Sequence, residues 1–228
     1  MREIVLDTET TGLDPLSGHR LVEIGCVELL NHLPSGNVFH RYVNPERDMP
    51  EEAFRVHGLS AEFLAGHGVF AEVVADFLEF IGAEAPLVIH NAEFDMRFLN
   101  AELARLGFAA LPKARAIDTV AIARKRFPGA QANLDALCRR FEIDNTHRTR
   151  HGALLDAELL AEVYLQLIGG RQPGLELAVT QAAAAAAVEV VREPRPPRPH
   201  APSAAELEAH QAFLAKIKNA IWLRDAAD

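Results

Sequence analysis

Cysteine is scarce in this chain of 228 residues. Cys26 and Cys138 each lie in an apolar periodic segment, so they read as small buried hydrophobes rather than as a disulfide or a metal-binding pair. No uninterrupted apolar run approaches the roughly 20 residues that a bilayer-spanning helix needs. The opening Met1-Arg2-Glu3 leads into a short strand pattern rather than a signal-peptide core, so a cytoplasmic protein with no membrane contact is expected. Positive charge is also in deficit, with 23 Lys and Arg against 32 Asp and Glu and a formal net charge of −9. Binding to a phosphate backbone draws on Lys and Arg that displace counterions, so the chain alone should hold DNA weakly. Cations at an acidic site, and a partner that delivers the substrate as effective concentration, would offset this. The chain has an ordinary globular composition, 49% hydrophobic and 24% charged, and its length allows one domain plus an appendage.

The most informative residues stand near the start, where the apolar run Ile4-Val5-Leu6 passes into Asp7-Thr8-Glu9-Thr10-Thr11-Gly12. Side chains two apart on a strand point to the same face, so Asp7 and Glu9 emerge together while Ile4 and Leu6 face the opposite layer. Neighbouring carboxylates repel unless a proton or a cation sits between them, and hard oxygen ligands favour Mg²⁺ or Mn²⁺. A strand that ends in paired acids reads as a platform for divalent metal.

Residues 21–30 form a second strand candidate. After a turn at Pro34-Ser35-Gly36, Asn37 to Val43 makes a third, and together these predict an antiparallel meander. Apolar spacing from Phe70 to Ile81 predicts a helix, Pro86 breaks it, and Leu87-Val88-Ile89 is a short buried strand. A helix from about Asp95 to Leu106, a last strand at Ala116-Ile117-Asp118, and helices to about Ile168, broken at Pro128-Gly129 and around 143–151, complete the pattern. The prediction is an α/β fold, a mixed five-stranded sheet flanked by helices. After Gly169-Gly170 come an alanine run, Ala182 to Ala187, and the polyproline-like spacer Pro194 to Pro199, a flexible tail that builds no core. The amphipathic stretch Ala204 to Leu223 then places Leu207, Phe213, Leu214, Ile217, Ile221 and Trp222 among charged residues, and so short a helix needs a surface to dock on.

Two further acid motifs lie far along the chain. His90-Asn91-Ala92-Glu93-Phe94-Asp95 sits where the strand 87–89 gives way to a helix, which is where α/β sheets place ligand groups. His151-Gly152-Ala153-Leu154-Leu155-Asp156 opens the last helix of the domain. Five residues turn about 140° more than one full turn, so His151 and Asp156 cannot share a helical face. His151 therefore belongs to the loop and swings over the site, while Asp156 points in from the helix. His90 reads as a structural hydrogen-bonding residue and His147 as solvent-facing.

In these motifs, Asp-x-Glu-Thr-Thr-Gly at 7–12, Asn-Ala-x-Phe-Asp at 91–95 and His-x-Ala-x-x-Asp at 151–156, the chain resembles the DEDDh family of 3′ to 5′ exonucleases. Within it, the likeness is to the epsilon-type proofreading subunits of bacterial replicative polymerases. The resemblance covers residues 3 to about 168 and implies a ribonuclease H-like exonuclease domain over 1–170. It implies that Asp7, Glu9, Asp95 and Asp156 hold or orient two divalent cations, Mg²⁺ or Mn²⁺, with Asp7 bridging. His151 would be the general base for the attacking water. By the same resemblance Thr10, Thr11 and Leu13, with Glu52 and His57 from a loop, line the site for the 3′-terminal nucleotide beside Asp7, Glu9 and Asp156. The substrate implied is a single-stranded or frayed 3′ DNA end.

Residues 171–203 are expected to be a linker carrying Gln172-Pro173-Gly174-Leu175-Glu176-Leu177. Its Gln172, Leu175 and Leu177 resemble the short motif by which replication proteins dock on the sliding clamp, with Leu where Phe is common. The segment 204–228 corresponds by position to the tail that binds the polymerase (alpha) subunit. An RNA-trimming exonuclease would share every catalytic residue, and the tail argues against it. A scaffold joining polymerase to clamp without catalysis would leave the acids and His151 unexplained.

Overall fold

The computed structural model describes residues 1–170 and 201–218. The chain divides into two compact units, Met1–Glu176 and Leu177–Asp228, and among the described residues no helix is long and apolar enough to cross a membrane. The first unit is built on β1 (Arg2–Thr10), β2 (Leu21–Leu30), β3 (Leu33–Tyr42), β4 (Leu87–Ile89) and β5 (Ala116–Asp118). They lie in the order β3-β2-β1-β4-β5. β1, β2 and β3 are antiparallel neighbours, and β4 and β5 run parallel to β1. The predicted mixed sheet is what forms.

The helices are α1 (Glu51–His57), α2 (Ala61–Ala65), α3 (Phe70–Ile81), α4 (Ala92–Arg105), α5 (Thr119–Arg126), α6 (Leu134–Phe141) and α7 (Ala153–Leu167). They cover the two faces of the sheet. Ile4, Leu6, Ile24 and Cys26 pack against Phe70, Val74 and Phe77 of α3 and Met96 and Leu99 of α4. Val5, Val27 and Val88 face the other way, against Leu137 and Cys138 of α6 and Ala157, Leu160 and Tyr164 of α7. The three-residue β4 is wholly buried, as a parallel strand between two helix layers must be. Cys26 and Cys138 are buried free thiols on opposite faces of the sheet.

Three local expectations change. The β2–β3 turn falls at Asn31-His32, both with positive φ (51° and 67°), and Pro34-Ser35-Gly36 lies inside β3. Two successive left-handed residues match the twist of a tight hairpin, and an edge strand tolerates proline and the register shift seen opposite Val27 and Leu29. Glu52 and His57 lie not in a loop but in α1, a two-turn helix with Glu51 and Glu52 in its first turn and left-handed Gly58 closing it. α4 begins at Ala92, three residues before Asp95, because Asn91 at φ 64° turns the chain out of β4.

In the second unit, α8 (Ala204–Leu214) starts at a capping box. Ser203 Oγ accepts from the Glu206 amide, and the Glu206 carboxylate accepts from the Ser203 amide. The helix is shorter than the amphipathic stretch read from sequence, with Leu207 and Phe213 exposed and the following 215–218 forming turns. Gln172, Leu175, Leu177, Ile221 and Trp222 lie outside the described residues.

Candidate active site

Asp7 and Glu9 leave β1 on the face covered by α7, the face of Val5. What brings α7 close is Gly25, the register partner of Asp7 on β2. A Cβ built there would stand 2.2–2.3 Å from the backbone of Ala153 and Leu154, so only glycine lets the first turn of α7 rest on the strand. Asp156, one turn further on, then hangs over the two β1 acids. Asp95 arrives from the other layer. Thr8 points to that side, and its hydroxyl donates to Asp95 Oδ1 at 2.7 Å, inside the protein. The four acids thus straddle the end of β1.

The electrostatics follow from burial. Desolvation, then the charges of Asp95, Glu9 and Asp156, hold the Asp7 carboxyl well above the usual carboxylate range. Glu9 is pushed up to about 8 by burial and by Asp156, Glu23 and Asp95. Burial lifts Asp95 to about 7 against the opposing hydrogen bond from Thr8. Burial also acts on Asp156, yet hydrogen bonds from Arg148 and His151 outweigh it and leave this acid below its ordinary value. One atom each of Glu9, His151 and Asp156 lies within 4.8 Å of the others. Buried carboxylates that resist ionisation and converge in this way fit a divalent cation, whose charge would relieve both the repulsion and the cost of burial.

His151 lies in the loop before α7, as its spacing from Asp156 required. Its Nδ1 is 3.3 Å from Asp156 Oδ2, and its amide donates to the Val56 carbonyl at 3.2 Å, which ties the loop to α1. His90 is held by Thr119, with Nδ1 and the hydroxyl 2.9 Å apart, and His147 is exposed.

Beside the acids runs a groove of about 470 Å³ lined by Glu9, Thr10, Thr11, Leu13, Glu52 and His57. Asp7 and Asp156 belong to the adjoining acid cluster rather than to the groove wall. His57 Nδ1 accepts from the Leu59 amide at 3.0 Å, so a neutral ring carries its proton on Nε2. That Nε2 is buried, and burial holds the His57 pKa below its usual value against the opposing hydrogen bond to the Thr10 backbone. The β1–β2 connection that forms one wall is fixed by Arg20, which forks onto Glu102 of α4 (Nε to Oε1 2.6 Å, Nη2 to Oε2 2.9 Å). Its backbone pairs with Thr11. A larger cavity of about 640 Å³ lies along the outer side of α4 and shares only Asp14 with this groove.

Sequence reasoning missed Arg148, Thr8, Gly25, and the groove residues Val56, His19 and Phe94. Phe94 sat within a quoted motif and Gly25 was an isolated glycine in a strand pattern, a sign of close backbone approach. Arg148 carries no local signal, because its partners come from α6 and α7.

An antiparallel meander extended by two parallel strands, with acids gathered at the end of its first strand, defines a ribonuclease H-like nuclease. The same fold occurs in the nuclease domain of 3′hExo, a DEDDh family member bound to rAMP (TM-score 0.63, 21% identity, 73% of this chain and 91% of that one). It occurs also in exonuclease I (TM-score 0.64, 17% identity, 75% and 41%). The chain belongs to the RNase T-type exonuclease family, whose model matches residues 4–164. It is 50% identical over 223 residues to the DNA polymerase III subunit epsilon of Rickettsia conorii, covering 95% of this chain and 96% of that protein. To the Escherichia coli K12 protein of the same name it is 51% identical over 179 residues, covering 75% and 72%. Enzymes of this family generally use divalent metal ions.

Proposed function

We propose that this chain is the proofreading 3′ to 5′ exonuclease of a bacterial replicative DNA polymerase, removing mispaired 3′-terminal nucleotides as nucleoside monophosphates. The observation that carries the reading is the convergence of Asp7, Glu9, Asp95, Asp156 and His151 beside a groove, in a chain half identical to polymerase subunits over nearly its whole length.

Asp7, Glu9, Asp95 and Asp156 would hold two divalent cations, Mg²⁺ or Mn²⁺. When bound, such a pair offsets the charge growing on the phosphoryl oxygens and on the departing 3′-oxygen. His151, at the rim of the acid cluster, takes the proton of the attacking water. Thr10, Thr11 and Leu13 from β1 and its connection, with Glu52 and His57 from α1, seat the terminal nucleotide. A frayed mispair reaches the groove more readily than a matched end because less pairing energy is given up.

The domain of residues 1–170 would be delivered by partners. Gln172, Leu175 and Leu177 would dock on the sliding clamp, and 204–228 on the polymerase alpha subunit, joined by the linker 171–203. The exposed Leu207 and Phe213 of α8 give that segment apolar anchors.

The test is a time course on a 5′-labelled primer with a matched or a mismatched 3′ terminus, beside an RNA oligomer, in Mg²⁺. Stepwise shortening that is fastest at the mismatch and lost in His151→Ala is the expected result. Preferential trimming of RNA would make the chain an RNA-processing member of the family, and no shortening would leave a scaffold.

A further inference from the structure

His151 is carried by the connection 142–152 between α6 and α7, which contains no helix or strand of its own. Something must hold it, because a general base works only within hydrogen-bond reach of its proton. The backbone ties it at two places, from the His151 amide to Val56 and from the Glu142 and Ile143 amides to Cys138. The side chains supply a third, and it leads to a residue outside the acid cluster.

Asn133 caps α6 by accepting the Ala136 amide, which places Asp135 in the first turn, where a helix favours negative charge. Asp135 Oδ1 accepts from two side chains of the connection, Arg148 Nη1 at 2.8 Å and Asn145 Nδ2 at 3.1 Å. Arg148 passes the attachment inward. Its Nε and Nη2 fork onto Asp156 Oδ1 and Oδ2 at 2.5 and 2.6 Å, and Nη2 lies 2.9 Å from His151 Nδ1. The Arg148 side chain is 7% exposed and that of Asp135 51%. An exposed pair between flexible side chains contributes little, but a buried, forked guanidinium has one geometry. Without Asp135 the guanidinium keeps Asp156 and loses its outer anchor, and the connection loses both of its side-chain ties to α6.

We propose that Asp135 is a positioning residue for the reaction, anchoring Arg148 so that the connection presents His151 at a fixed place beside Asp156. The proposal rests on the role of His151 given above. Asp135 makes no hydrogen bond to Asp7, Glu9, Asp95 or Asp156 among the described residues, so its effect travels through Arg148 and Asn145 of the connection.

The experiment compares the full chain with Asp135→Ala and Asp135→Asn. It measures steady-state shortening of a mismatched primer in Mg²⁺ and amide hydrogen exchange of the protein alone. Asp135→Ala should lower kcat about tenfold, leave KM within about twofold, and raise exchange at 143–151 while β1, β2 and α4 stay protected. Asp135→Asn keeps the Oδ1 acceptor and should recover activity to within about threefold of the original. Unchanged kcat and exchange in Asp135→Ala would overturn the proposal. So would an Asn variant as impaired as Ala, or protection lost through the whole domain, since the latter marks a merely structural role. If the unsubstituted chain shortens no primer while Asp135→Ala still loosens 143–151, the exonuclease reading falls and Asp135 is only a loop anchor. If the chain is active and exchange at 143–151 does not move, the positioning role falls and the exonuclease reading stands.

Discussion

Asp95 is buried and lifted to about 7 even with the opposing hydrogen bond from Thr8, so removing that hydroxyl makes this acid harder to ionise. Thr8→Val preserves shape and removes that donor. A hydrogen bond to a charged group contributes about 1.5–3 kcal/mol, so kcat for primer shortening should fall at least about tenfold while the urea midpoint changes little. A large drop in midpoint with unchanged kcat would show instead that the hydroxyl serves the core. Thr8 also illustrates what the residue pattern hides. Asp7, Glu9, Asp95, Asp156 and His151 are legible because metal chemistry fixes their types and order. Thr8 and Arg148 act through partners 87 and 8 positions away, and nothing in their own surroundings marks them.

At the scale of elements, two packing contacts aim the site. Gly25 lets α7 lie against β2, and any Cβ there must displace the backbone of Ala153. Gly25→Ala should cost about 1–3 kcal/mol by urea unfolding. It should lower kcat more than that loss suggests, because Asp156 and His151 ride on the displaced turn. The Arg20–Glu102 fork holds the β1–β2 connection against α4, with the Glu102 side chain only 3% exposed. Glu102→Ala removes the fork and leaves Arg20 with Glu46 and the Pro45 carbonyl, so stability should fall, by less than the roughly 3–5 kcal/mol of a fully buried broken pair. KM for the primer should rise as the wall bearing Thr11 and Leu13 loosens, and a variant with unaltered stability and KM would show the fork to be idle. Most element boundaries were readable from hydrophobic period and from the breaks at Pro86 and Pro128-Gly129. The β2–β3 turn was not, because Pro34-Ser35-Gly36 carries a stronger turn signal than Asn31-His32. The choice between them is made by pairing with β2, a long-range term absent from local pattern. The helical state of Glu52 and His57 was missed for a related reason, since α1 spans only seven residues and lacks the repeat that identifies a longer helix.

Over the whole molecule the acid cluster is a store of unfavourable charge, and it should set how stability depends on pH. Glu9 near 8 and Asp95 near 7, with Asp7 also raised, all titrate far above the range of an unfolded carboxylate. Between about pH 4.5 and pH 8 these three acids therefore bind more protons in the folded chain than in the unfolded one, and through linkage their contribution to stability falls as pH rises, while the buried His57 and His90, held below their ordinary values, act in the opposite direction. Asp156 has the opposite sign, since its depressed pKa contributes stability above the unfolded value that is lost only in stronger acid. With a chelator present, the melting temperature should decline by several degrees from pH 5 to pH 8. In excess Mg²⁺ the decline should flatten or reverse, because a cation that binds only the folded, ionised cluster replaces the protons and adds its own binding energy. Asp7→Asn should reduce both the chelator slope and the response to Mg²⁺. A melting temperature that rises with pH in chelator would mean that the acids ionise freely in the fold. Crowding and burial would then no longer be the reason this end of β1 attracts a divalent cation.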